Sequence, residues 1–166
     1  ANQYVDLILS YINKEEAFFE RINIDSILLG SLNYGNYNPA NSSIQEIISS
    51  GKLSLIKDGD LKQNLFNWLQ MLQDTNEDFK NQDLQHQEQL AVYLTRHVSF
   101  KNMAKQSGMA SSEMEDSELF NKQYRRIFAD LEFENLYESK KYWNGEMINH
   151  YRDLDTLALE IMEQTK

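Results

Sequence analysis

The chain of 166 residues has no cysteine. Disulfides, thiolate metal sites and thiol catalysis are therefore excluded, although the redox compartment stays open. It has one proline, Pro39, and six glycines, too few turn-formers for a sandwich or barrel of many short strands. It has no stretch approaching the roughly 18 consecutive apolar residues that span a bilayer, and its start lacks the basic-then-apolar layout of a secretory leader. Basic residues are also scarce: 16 against 26 acidic ones, for a formal charge of −10. That balance repels polyanions, so nucleic acid is not an expected partner. Arg125-Arg126 reads as a solvated helix face rather than a binding patch.

What is present argues for a folded, helical, soluble chain. Apolar residues make up 41%, with nine Tyr, eight Phe and two Trp, more than a disordered acidic tail carries. Leu, Glu, Gln, Lys and Met, all good helix formers, are plentiful. The expected class is all-α: an antiparallel helical bundle with short accessory helices and one long loop, as a single domain over 1–166.

Periodicity gives the elements. Val5, Ile8, Ile12, Phe19 and Ile22 predict a helix over about 3–23, and Ile27 to Leu32 a short second element before the irregular "NYGNYNPAN". In "SSIQEIISSGKLSLIKDGDLKQNL", Ser42 and Ser43 stand three residues before Gln45 and Glu46, as in a capping box. A short helix burying Ile44, Ile47 and Ile48 should start there and stop at Gly51 in the left-handed conformation. Leu53 and Ile56 then turn inward, and Asp58 caps a helix carrying Leu61, Leu65, Trp68 and Leu72. That helix reaches about residue 99, either unbroken or interrupted near Asn81. Residues 101–117 lack periodicity and read as the long loop. From Leu119 to Gln164 the positions Phe133, Leu136, Trp143, Met147, Tyr151, Leu154, Ala158 and Ile161 form a bundle seam, with a possible break near Asp130. Trp143 is expected to anchor the core.

The same residues carry few signs of chemistry. Gly51-Lys52 lacks the earlier glycine of a phosphate-binding loop and is followed by Leu53, so it reads as a helix stop. His86 and His97 lie roughly 16 Å apart on a straight helix, too far to share a metal. Glu146 and His150 could both touch a cation, but the Glu-x-x-His pairs of di-iron bundles are missing. Asp130, Glu132 and Glu134 carry little information in so acidic a chain, and no serine sits in G-x-S-x-G or S-x-x-K. Trp68 and Trp143 read as core rather than ligand-stacking residues. No catalytic, cofactor-binding or metal-binding residue is assigned, and no cofactor is expected. Met103, Met109 and Met114 either offer adaptable contacts to a partner or tuck the long loop onto the bundle.

Two passages carry a resemblance. Tyr37 to Asn41, Ser50-Gly51, Leu53 to Ile56, and Lys57-Asp58 through Leu61, Lys62 and Leu65 follow one ordered pattern, and Glu132, Phe133 and Asn135 follow a second, "x-E-F-x-N", at the start of the last long helix. Together, over less than a third of the chain, they resemble an uncharacterised family of the Bacteroidetes group, a domain of unknown function with one transmembrane helix and an extracytoplasmic helical part. The resemblance implies a soluble part of a longer membrane-anchored protein, with Ala1 falling after the membrane helix, on the extracytoplasmic (periplasmic) face of a bacterial membrane. It implies a non-enzymatic sensing or protein-interaction module with a protein partner near the membrane; the alternative is a small-molecule or metal-handling enzyme with its site between helices. The family supplies no site residues.

Overall fold

A computed structural model of the chain describes residues 2–33, 35, 39, 42–106, 108, 111, 113–120 and 123–166. Its elements are α1 (Asn2–Ser10), α2 (Glu16–Phe19), α3 (Ile24–Leu32), α4 (Ser42–Ser49), a 3-10 turn (Lys52–Leu55), α5 (Gly59–Gln85), a π-turn (His86–Leu90), α6 (Ala91–His97), α7 (Phe100–Gln106), α8 (Tyr124–Phe128) and α9 (Leu131–Gln164). No strand occurs among the described residues, so the protein is all-α. The chain divides into two compact units, Ala1–Gly35 with Gln82–Asn144, and Asn36–Asn81 with Gly145–Lys166.

The first unit is built from short helices around aromatic side chains. Phe19, Phe128, Phe133 and Tyr137 form a chain of rings with centroids 4.9, 5.0 and 4.7 Å apart. Val5, Ile8, Leu28, Leu94 and Met103 close around them, all wholly buried. The expected helix over 3–23 is two helices with a turn between. Backbone N–H groups of Tyr11 and Ile12 bond three residues back, and Asn13 takes φ +60° and donates to the Phe128 carbonyl at 2.9 Å. The apolar stripe nonetheless faces inward, since Val5, Ile8 and Phe19 are all buried.

The expected loop over 101–117 also needs correction, because α7 occupies its start. Ser99 caps that helix, its Oγ accepting from Asn102 N–H at 3.2 Å, and Met103 is buried against the core. Met103 therefore serves packing, not a partner; Met114 is half-buried, and Met109 lies outside the described residues. The chain after α7 is tied back to it by Asn102, whose side-chain oxygen accepts from Ser117 N–H at 2.7 Å, and by a Lys105–Asp116 ion pair at 2.9 Å.

The second unit sets α4 and the 3-10 turn beside a pair of antiparallel segments. Asn64 bonds Gln164 at 3.1 Å at one end of the pair and Asp78 meets His150 at 3.0 Å at the other. Trp68, Leu72, Leu154 and Leu157 are its buried core. Gly51 takes φ +73° after α4, the left-handed stop that its position predicts. Asp58 caps α5, accepting from the backbone of Asp60 at 2.9 Å and Leu61 at 3.1 Å.

Two features of the long helices differ from expectation or refine it. The helix beginning at Gly59 is unbroken at Asn81 and instead widens into the π-turn at His86. The break near Asp130 is present, with Asp130 Oδ1 accepting from Glu132 N–H at 2.8 Å to open α9. Trp143, however, is only half-buried and belongs to neither core. The inward positions of α9 are Phe133, Tyr137, Lys140, Asn144, Met147, Tyr151 and Leu154, an alternation of fours and threes. Two of those positions are polar, so following apolar residues alone moves the stripe onto Trp143.

Candidate functional site

The polar seam lies in the first unit, where the end of α5 and the π-turn run antiparallel to α9. Gln82 Nε2 donates to Asn144 Oδ1 at 2.9 Å, Gln85 bonds Ser139, and Lys140 Nζ stands 3.0 Å from His86 Nδ1. Lys140 and Asn144 are each only 6% exposed. Polar groups this deep need hydrogen-bond partners, yet Asn144 Nδ2 has none among the described residues. The helix widens here into the π-turn without a break, the Ala91 N–H reaching back five residues to the His86 carbonyl. Burial, followed by the Lys140 charge, lowers His86 to a pKa of about 4, against an opposing pull from Asp83. Burial lowers Lys140 to about 8. At neutral pH the imidazole is thus uncharged and accepts from Lys140, which is still mostly protonated. Gln82, Gln85, His86, Leu90, Leu136 and Lys140 enclose a cavity of about 10 Å³.

A larger cleft of about 470 Å³ opens elsewhere in the same unit, lined by Glu16, Phe19, Glu20, Arg21, Ile22, Asn23, Ile24, Asp25, Gln106 and Tyr124. Its frame is fixed by Asn23, whose Oδ1 caps α3 through Ser26 N–H at 3.1 Å and whose Nδ2 reaches Gln106 Oε1 at 3.1 Å. Ser26 Oγ adds a bond to the Gln106 carbonyl at 2.9 Å. At the base Asp25 is 3% exposed. Burial first, and then the charge and hydrogen bond of Asp25, push the Tyr124 phenol above its ordinary range, so it remains a donor to that carboxylate. The rim residues Glu16, Glu20 and Arg21 are exposed.

The residues singled out in the sequence separate into other roles. His97 stacks on Tyr93 at 4.1 Å and bonds the Tyr93 carbonyl at 2.8 Å, well apart in function from His86. His150 pairs with Asp78, not with Glu146, and no group of three His, Asp or Glu side chains suited to a metal occurs among the described residues. Arg125 makes an exposed pair with Glu15 at 3.6 Å. Asp130 is both a helix cap and the acceptor for the Tyr93 hydroxyl at 2.8 Å, a bond that lowers its carboxyl pKa. Trp68 is core, as its spacing predicts. The functional candidates missed by sequence reasoning are Lys140, His86 as its partner, Asp25 and Tyr124. The available signal for Lys140 and Asn144 was their place in the four-three alternation of α9.

These features define an all-α protein with a buried lysine–imidazole pair and a separate cleft rimmed by Glu16, Glu20 and Arg21. Comparison with protein-family models, curated proteins and solved structures gives no match. Among the described residues no helix is long and apolar enough to cross a membrane.

Proposed function

We propose that this chain is a non-enzymatic recognition module that takes a basic side chain of a protein partner into the cleft beside α2 and α3. The observation carrying this reading is the cleft itself: buried Asp25 held by Tyr124 at its base, with Glu16 and Glu20 outnumbering Arg21 at its rim. Its volume falls in the range of small binding sites, and Phe19, Ile22 and Ile24 offer a wall for the aliphatic stem of a lysine or arginine. The net charge of −10 favours a basic partner and speeds its approach. The family resemblance supports a membrane-tethered, extracytoplasmic setting, in which a high local concentration makes modest contacts sufficient. Titrating isotope-labelled protein with a lysine- and arginine-rich peptide should shift the backbone amides of Asn23 and Gln106 in a salt-sensitive way. Replacing both Glu16 and Glu20 by Gln should weaken that binding about tenfold. An equal response to a glutamate-rich peptide, or no effect of the double substitution, would overturn the proposal.

The second reading, an enzyme acting on a small molecule between helices, is favoured by one observation, the buried Lys140 beside an uncharged imidazole. Its cavity of about 10 Å³ has no room for an organic substrate.

A further inference from the structure

We propose that the recess between α6 and α8 binds a small phosphate monoester, held by Arg96, His97 and Arg126. It shares no residue with the cleft beside α2 and α3. Its volume is about 300 Å³, and Arg96, His97, Phe120, Gln123, Arg126 and Ile127 line it. Three of those six can carry positive charge and none is acidic, in a chain where acids outnumber basic residues 26 to 16. Like charges gathered from two helices repel one another, and an anion between them relieves that repulsion. Neither Arg96 nor Arg126 forms an ion pair with another described residue, whereas neighbouring Arg125 is engaged with Glu15. Asp130, whose carboxylate feels the His97 charge, lies outside the lining and is committed to the Tyr93 hydroxyl and the Glu132 N–H, each at 2.8 Å. The net charge of −10 turns away long polyanions and anionic lipid surfaces, which leaves a small anion as the occupant.

The lining suits each part of such a ligand. Guanidinium forks match phosphate oxygens two at a time, and a monoester brings about two negative charges near neutral pH to the two arginines. His97 Nδ1 lies 2.8 Å from the Tyr93 carbonyl, which can only accept, so that nitrogen carries a hydrogen and the ring is held stacked on Tyr93. Nε2 is the nitrogen left for a ligand. Its bond to a phosphate oxygen needs one proton, carried by either partner, and a monoester with a second pKa of about 6 can supply or release it. Sulfate esters and carboxylates are too acidic to supply it near neutral pH. Gln123 adds an amide donor, and Phe120 and Ile127 offer apolar surface to the organic group of the ester.

The test titrates the intact, isotope-labelled chain with phenyl phosphate at neutral pH, following the amides of Arg96, His97 and Gln123 and the arginine Nε–H groups by NMR. Saturable shifts at this recess are expected. Phenyl sulfate and benzoate carry the same ring without the second charge or the transferable proton, and should bind about tenfold more weakly. Replacing Arg96 and Arg126 together by Gln should weaken phenyl phosphate about tenfold or more, His97→Leu should remove most of its advantage over phenyl sulfate, and Arg125→Gln should change nothing. Both replaced arginines are exposed, so the rest of the spectrum should keep its wild-type form. Shifts that do not saturate, benzoate or phenyl sulfate matching phenyl phosphate, or an advantage over sulfate that survives His97→Leu would each overturn the proposal. So would equal affinities in the double variant and in Arg125→Gln.

Discussion

The two units of the chain differ in how their interiors are made. The unit comprising Ala1–Gly35 and Gln82–Asn144 gathers fifteen buried apolar residues into one cluster, many of them aromatic rings in mutual contact. The unit comprising Asn36–Asn81 and Gly145–Lys166 has a cluster of four, Trp68, Leu72, Leu154 and Leu157, with Leu65 and Met147 buried outside it. The large core has polar groups such as Lys140 and Asn144 at its seam, where His86 and Gln82 supply their hydrogen-bond partners. A small one depends on each large side chain and has its polar pairs, Asp78–His150 and Asn64–Gln164, toward its surface.

That contrast can be broken most severely at Phe133, which touches Tyr93, Phe128 and Tyr137 and is wholly buried. Phe133→Ala should cost about 4–5 kcal/mol in denaturant unfolding. Trp68→Ala should cost about 3–4 kcal/mol, with loss of amide-exchange protection over residues 61–72. Trp68→Phe sharpens the point. The indole Nε1 is buried with no partner among the described residues, so removing that donor offsets lost packing, and the cost should stay below about 1.5 kcal/mol. Gly51→Val, which forces a β-branched residue to φ +73°, and Trp143→Ala, at a half-buried position, should each cost about 1–2 kcal/mol. A Trp143→Ala loss matching that of Trp68→Ala would mean Trp143 sits in a core after all.

The smallest effect is an acid one confined to the first unit. His86 titrates near 4 when folded, against an ordinary 6.5, because of burial and then the Lys140 charge. The unfolded chain therefore binds more protons across that interval, and stability contributed by the neutral imidazole is complete above about pH 6.5 and drains away as pH falls toward 4. Thermal melts of wild type and His86→Gln should diverge least at pH 5 and below and most above pH 6.5. A constant difference across that range would refute the assignment.

Much of the fold was legible where the cause is local. Gly51 follows a run of isoleucines on one helix face, Asp58 and Asp130 are capping residues just before apolar repeats, and each does what its neighbours in sequence require. The end of the first helix is not legible because nothing between Tyr11 and Glu15 breaks a helix by itself; the turn is held by a bond from Asn13 to Phe128, 115 residues on. The start of α7 is hidden although Ser99 is an ordinary cap, because the polar run after Met103 masks a short element. Of the site, almost nothing was legible. Lys140 and His86 are separated by 54 residues, and a lysine is counted as outward until its partner is known.

The π-turn also sets the phase of the helix that follows it. Gln82, His86, Leu90 and Leu94 are spaced by fours, and at 3.6 residues per turn such a row drifts by 40° at each step. One turn at about 4.4 residues reverses the drift for a single step, because four residues then fall short of a full circle. The row thus stays near one line from the glutamine to the buried Leu94. The turn acts as a vernier: one residue lost between Gln87 and Gln89 would swing all of α6 by about 100°, taking Tyr93 away from Asp130 and Leu94 out of the core, while leaving the composition of the helix almost unchanged.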